Sequence, residues 1–200
     1  EMIEMEDLSE EKKAQYHQQA KRQIQRIARL LEDIKTLQRY DFDGSFIQKK
    51  EFDLAALVDN LIEIHSPIAA EKNIAIKTRV DVTSKAFADP DKIEQVMENL
   101  ISNAIKYTNT GEIILTAEQK GDIITVNVQD TGIGISEEHL ERLFDRFYRT
   151  DKARSRDKGG TGLGLAVVKG ILRAHDSKII VLSKVGEGST FSFTLNTLPQ

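Results

Sequence analysis

From Leu8 to about Tyr40 the chain is polar, made of helix-favouring residues and free of glycine and proline. Within it Ala20, Ile24, Ile27, Leu31 and Ile34 follow a 4-3-4-3 spacing, and Leu30 and Leu37 widen the stripe. So narrow a seam predicts a helix of a coiled coil or helical bundle, which one helix alone cannot satisfy. Ser9 suits the N-cap, with Glu10 and Glu11 beside the positive end of the dipole. Asp41-Phe42-Asp43-Gly44-Ser45 then breaks the helix and marks a boundary between residues 1–43 and 44–200.

After Gly44 the periodicities alternate. Phe46 to Phe52 reads as a short strand. Leu54 to Glu71 reads as an amphipathic helix through Leu54, Leu57, Val58, Leu61, Ile62 and Ile64, with a kink expected at Pro67. Ile74 to Val80 alternates as a half-buried strand does, and Ala86 to Ala88 is a stub of strand. Asp89 and Pro90 supply an N-cap and a first-turn proline for a helix reaching about Tyr107. Gly111 introduces a strand over Glu112 to Gln119, and Gly121-Asp122 turns it into Ile123 to Gln129 as a β-hairpin. A glycine-rich, basic stretch precedes a helix from about Leu163 to Ala174. Two last strands, near Lys178 to Val185 and Thr190 to Asn196, are joined by Gly186-Glu187-Gly188. The prediction is a two-layer α/β (α+β) sandwich whose mixed, mostly antiparallel sheet carries helices on one face, preceded by one long helix.

Composition narrows the function only a little. In 200 residues, 40% hydrophobic and 30% charged, there is enough apolar material for a real core. The net charge of −4 gives no reason to propose a nucleic-acid or anionic-membrane surface. With no cysteine there is neither a disulfide framework nor a thiolate metal site, which suits a reducing compartment. No apolar run approaches the roughly 18 to 20 residues that span a bilayer, and the acidic N-terminus lacks the features of a signal peptide.

Three polar clusters carry the candidate chemistry. On the helix ending at Tyr107, Ile93, Val96, Met97, Leu100, Ile101, Ala104 and Ile105 form the apolar side, while Asn99, Asn103 and Lys106 share the other. Amide oxygens suit a hard cation such as Mg2+, and a lysine one turn on can meet the phosphates that accompany it; a solvated polar stripe gives the same pattern. Asp130 ends an alternating strand just before Thr131-Gly132-Ile133-Gly134, where a carboxylate can accept from an exocyclic amine such as that of adenine. An acidic strand-end turn is the plainer alternative. Gly160-Thr161-Gly162-Leu163-Gly164 runs straight into a helix, whose exposed amides make an anion site; a flexible connection would look alike. Between these clusters lie Phe144-Asp145-Arg146-Phe147-Tyr148-Arg149 and Lys152, Arg154, Arg156 and Lys158, which read as a mobile loop that a triphosphate can order or as a solvated one. His17, His65, His139 and His175 have no metal-ligand spacing and support no Ser/His/Asp triad.

Taken in order, these clusters resemble the C-terminal part of a two-component sensor histidine kinase, over about residues 8 to 196. The N box falls at Asn99 to Tyr107, the G1 box at Asp130 to Gly134, the F box at Phe144 to Phe147 and the G2 box at Gly160 to Gly164. Gly186-Glu187-Gly188-Ser189-Thr190-Phe191 matches the last glycine motif. The resemblance implies a Bergerat-type ATP fold, with ATP and Mg2+ as cofactors. It implies Asn103 as the metal ligand, Asn99 nearby, Lys106, Tyr107, Phe144 and Thr190 on the nucleotide, and Asp130 with Gly132 and Gly134 at adenine. It further implies Arg146 and Arg149 at the phosphates, so that Asn99, Lys106, Arg146 and Arg149 form the catalytic set, and a lid anchored by Gly160, Thr161, Gly162, Leu163 and Gly164.

Residues 1–43 then stand as the second helix of a dimerisation domain, implying a parent homodimer on a four-helix bundle. Residues 44–200 stand as the catalytic domain. Gyrase-type enzymes of this fold place a glutamate general base four residues before the metal-binding asparagine; here that position is Asn99, which cannot take a proton from water. The family's acceptor histidine lies in a His-Glu/Asp-x-x-x-Pro context that none of the four histidines shares, so the acceptor helix is expected outside this chain. The implied activity is transfer of the ATP γ-phosphoryl group to that histidine, for relay to an aspartate of a response regulator. A nucleotide-dependent interaction module without transfer is the alternative. The expected setting is a cytoplasmic domain of a membrane-anchored bacterial protein, with the membrane-spanning segments also outside these residues.

Overall fold

The computed structural model describes residues 9–42, 47–149 and 161–197. Helix α1 (Glu10–Phe42) opens on Ser9, whose hydroxyl accepts from the Lys12 N–H at 3.4 Å. Its apolar stripe divides in two. Leu37 is buried and Leu30 half-buried against the body of the protein, whereas Ile24, Ile27 and Leu31 are each more than half exposed. The seam is therefore uncovered within one chain, as its spacing predicts.

Strand β1 (Lys50–Phe52) is shorter than the Phe46 to Phe52 expected, and residues 43–46 lie outside those described. Asp53 caps helix α2 (Leu54–Ala70), accepting from the Ala55 and Ala56 N–H groups at 2.9 and 3.2 Å. The helix runs on through Pro67 rather than being interrupted by it. Pro67 sits on the exposed side near the C-terminus, so the one intrahelical bond it forfeits falls where water replaces it. Strands β2 (Ile74–Asp81) and β3 (Ala86–Ala88) lead to helix α3 (Pro90–Tyr107), whose N-cap Asp89 accepts from the Lys92 N–H at 3.3 Å. After it come β4 (Gly111–Lys120), β5 (Ile123–Asp130), a four-residue helix α4 (Glu137–Leu140), α5 (Gly164–Ala174), β6 (Ile180–Lys184) and β7 (Gly188–Thr197).

The seven strands form one sheet in the order β1-β3-β7-β5-β4-β2, with β6 also pairing along the first half of β7. Only β2 and β4 run parallel among the described pairings. Because side chains alternate along a strand, register sorts each position to one face. Ile113, Leu115 and Ala117 of β4 lie opposite Asp130, Val128 and Val126 of β5, which lie opposite Ser189, Phe191 and Phe193 of β7. This face is buried under the helices, with α3 on β4 and β5, α2 on β2, and α5 packed against α3. The other face, with Thr125, Gln129, Thr190 and Leu182, is more exposed. The functional consequence is that Asp130 ends the buried row directly beneath α3.

His175 ties two helices of that layer together. It is 6% exposed, its Nε2 lies 3.0 Å from the Asp89 N–H and its Nδ1 2.9 Å from the Ile171 carbonyl. The amide must donate, so Nε2 accepts and Nδ1 bears the proton, which fixes the neutral tautomer. Burial, more than any neighbour, holds His175 below the usual histidine range. Below about pH 6.5 the unfolded chain therefore takes up a proton that the folded protein resists, and stability falls as pH falls through that window. Denaturant midpoints between pH 7.5 and 5 should show this decline in the wild type. His175→Gln should flatten it.

Candidate functional site

Helix α3 presents its polar face in successive turns. The Asn99 Nδ2 donates to the Gln95 carbonyl at 2.9 Å, which turns its oxygen toward the start of α5. A Cβ added to Gly164 would lie 2.7 Å from that oxygen. Asn103 follows, half-buried, and its amide makes no hydrogen bond among the described residues. Lys106 lies with its Nζ 5.1 Å from the Tyr107 ring centroid. At the end of the helix Lys72 donates to the Ile105 carbonyl, favourable at the negative end of the dipole.

Asp130 ends β5 at 6% exposure. Its Oδ1 accepts from the Gly132 N–H at 2.8 Å, and the Ser189 backbone supplies another hydrogen bond. Burial outweighs both, so its pKa is raised. Glycine is required beside it. A Cβ on Gly132 would stand 2.6 Å from both Asp130 Oδ1 and the Tyr107 carbonyl, and 3.0 Å from Thr108 Oγ1, a buried oxygen with no hydrogen-bond partner. The loop is fixed on both sides, because the Ile133 N–H donates to the Tyr107 carbonyl at 3.2 Å and its carbonyl accepts from Gly186 at 2.9 Å. Gly134 has φ +66° and packs on the Lys184 carbonyl.

The third wall is the 144–149 segment. Phe147 has φ +61° and donates its N–H to the Gly162 carbonyl at 2.9 Å; a side chain on Gly162 would strike the Phe147 backbone. Tyr148 is held by His139, with Nδ1 2.8 Å from its hydroxyl, and by Arg142 stacked 4.4 Å from its ring centroid. Phe144 has Lys169 Nζ 5.8 Å from its centroid. Arg149 comes close enough to Tyr107 for its charge to oppose the upward pull of burial on the phenol. Arg146 is exposed on the same segment. Thr161 Oγ1 accepts from the Leu163 N–H at 3.1 Å, and Leu163 is fully buried where α5 begins. Gly160 and the basic residues Lys152, Arg154, Arg156 and Lys158 lie outside the described residues.

The structure thus brings Asn99 to Gly164, Gly132 to Asp130 and Tyr107, Arg149 to Tyr107, and Gly162 to Phe147. Thr190 pairs with Gln129 and Leu182 on the more exposed face of the sheet. Its neighbour Ser189 faces inward, opposite Asp130, with its hydroxyl 2.9 Å from that of Ser183.

The donor set fits a nucleotide. Asp130 is a buried carboxylate beside an orphaned hydroxyl and a glycine at which any side chain would clash. Among the described residues no cluster of three or more His, Asp or Glu could hold a metal. A cation would take an amide oxygen such as that of Asn103 and complete its shell from phosphate and water. The glycines separate two effects. Gly134→Ala should cost at least about 1–2 kcal/mol, because φ is left-handed and a backbone carbonyl must shift. Gly164→Ala meets only a side-chain tip, so its melting temperature should hold while displacement of Asn99 weakens nucleotide binding. Thermal unfolding and ATP titration of both variants check this.

Comparison with known proteins agrees with the geometry. The family model described as histidine kinase-, DNA gyrase B- and HSP90-like ATPase matches residues 88–199. A sensor protein kinase WalK of Staphylococcus epidermidis is 37% identical over 177 residues, or 86% of this chain; the chain spans only 29% of that protein. Full-length ShkA, solved in complex with AMPPNP, superposes with a TM-score of 0.83 at 27% identity, over 97% of this chain and 41% of that one. The histidine kinase ThkA, solved with the response regulator protein TrrA, gives 0.69 at 26% identity over 88% and 49%. No helix among the described residues is long and apolar enough to cross a membrane.

Proposed function

The chain belongs to the family of histidine kinase-, DNA gyrase B- and HSP90-like ATPases, on its sensor histidine kinase side, and from that premise we propose that it holds Mg·ATP for transfer of the γ-phosphoryl group to a histidine. The observation that carries this is the pair Asn99 and Glu98. A hydrolase of this fold needs a base aimed at water one turn before Asn103. Asn99 holds that place, its amide nitrogen donating to the Gln95 carbonyl and its oxygen lying beside Gly164. Glu98, the carboxylate adjacent in sequence, is exposed and acts on His65 of α2, on another side of the helix.

In this reading Asp130 accepts from the adenine amine, with Gly132 and Gly134 letting the ring approach. Tyr107 and Phe144 flank the nucleotide. Lys106, Arg146 and Arg149 meet the phosphates, and Gly160 to Gly164 anchor the lid. Mg2+, held by Asn103, would neutralise developing charge on the phosphates. An imidazole nitrogen attacks the γ-phosphorus, the bond to the bridging oxygen breaks, and ADP leaves. Preorganised cations with no water-activating base favour a delivered nucleophile over solvent.

The acceptor histidine would lie on a first dimerisation helix, with residues 1–43 as the second and residues 44–200 as the catalytic domain. The exposed seam of α1 supports a homodimer of the parent protein, and the ThkA complex supports a response regulator receiver domain as the relay partner. Any membrane attachment of the parent would come from segments outside these residues. The test is phosphate release by this chain alone. Titration should show ATP binding that depends on Mg2+, with release near the uncatalysed background; rapid turnover would overturn the assignment to a kinase.

A further inference from the structure

Residues 47–49 lead from α1 into β1 and lie across the join of two helices. The Gln48 N–H donates to Asp89 Oδ2 at 3.0 Å, while Asp89 Oδ1 caps α3 through the Lys92 N–H. The Asp89 N–H in turn donates to His175 Nε2, at the C-terminus of α5. Lys49 pairs with Asp176 at 3.0 Å, a partly exposed ion pair that adds little by itself. Asp89 and His175, 7% and 6% exposed, are the buried members of this group. Midway along α3, Asn99 meets Gly164 at the start of α5. The start of α3 is therefore tied to the end of α5, and the middle of α3 touches the start of α5.

We propose that Asp89 and His175 are positioning residues that pass the placement of the 47–49 segment to the Asn99–Gly164 wall of the cleft. The segment is a natural input, since α1 precedes it and its only side chain in an ion pair is the weak Lys49 contact. A pull on Gln48 acts on a carboxylate whose second oxygen holds the first turn of α3. Displacement there also moves the Asp89 amide from His175, and so α5. Because packed helices move as rigid bodies, the shift reaches Asn99 and Gly164 together. Coupling of this kind is a difference in free energy between two placements of the segment, so it is measurable at both ends.

The test uses the full chain, with hydrogen exchange at individual amides as the first readout. Gln48→Pro removes one donor and leaves Asp89 and His175 intact. It should speed exchange about fivefold at the Asp89 amide and in the first turns of α5, the loss expected for one net hydrogen bond. His175→Leu should produce the same pattern, and the double variant should be no worse than either single one. His175→Gln keeps an acceptor for Asp89 and should restore near-normal exchange, which a purely volumetric role would not predict. Faster exchange confined to residues 47–50, or single effects that multiply, would overturn the proposal. A second arm, ATP affinity, rests on the nucleotide role proposed above and should fall about fivefold in Gln48→Pro. The exchange arm decides the matter even if the chain binds no nucleotide, so the two failures are distinguishable.

Discussion

Asn103→Ala should lower Mg-dependent ATP affinity by about a hundredfold or more and remove phosphoryl transfer, while leaving the fold nearly untouched. The asparagine is half-buried on the polar face of α3, and its amide has no partner among the described residues to leave stranded. Alanine also has the higher helix propensity, so stability should change by no more than about 0.5 kcal/mol. Loss of a metal ligand is a different matter, since even residues behind the ligands cost about 10- to 100-fold when removed. Titration with and without Mg2+, beside a thermal melt, separates the two. Unchanged affinity in a folded variant would remove Asn103 from the metal site.

Asp130→Asn should do the reverse to the fold. Burial raises the Asp130 pKa, so between the unfolded and the folded values the folded protein holds a proton that the unfolded chain has released. That group contributes stability below the unfolded carboxylate range, and the contribution is lost as pH rises through the folded value. At neutral pH the ionised side chain is therefore a net cost, and asparagine should raise the melting temperature. Binding should suffer instead. A hydrogen bond to a charged group is worth about 1.5–3 kcal/mol, and an amide nitrogen facing the adenine amine sets donor against donor. ATP affinity should fall roughly tenfold to a hundredfold, with discrimination against GTP reduced. A variant no more stable than wild type, or one still selecting ATP, would contradict the placement of this carboxylate.

Much of this was legible in the residues because local signals agreed with tertiary need. Asp89-Pro90 fixed the start of α3, and the apolar positions from Ile93 to Ile105 all became buried. Gly121-Asp122 closed the hairpin between β4 and β5 in full register. The rest has equally specific causes. Helix α2 runs on through Pro67, since a proline on the wet side of a last turn forfeits a bond that water replaces. Register puts Ser189 on the inner face opposite Asp130, a neighbour that the motif alone does not reveal. On α1, Leu30 and Leu37 turn inward while Ile24, Ile27 and Leu31 remain exposed; periodicity cannot tell which of two neighbours covers which edge. The tie between Asp89 and His175 joins positions 86 residues apart, and no local pattern announces it.

The central claim is that Asn99, in place of a carboxylate, leaves this cleft able to hold ATP for a histidine. The most direct measurement incubates the chain with γ-labelled ATP, Mg2+ and a separate dimerisation fragment bearing an acceptor histidine. Label is predicted on that histidine, stable to base and lost in acid, with little free phosphate. Binding without transfer would reduce the protein to a nucleotide-dependent interaction module, and rapid phosphate release with an unlabelled fragment would contradict the account.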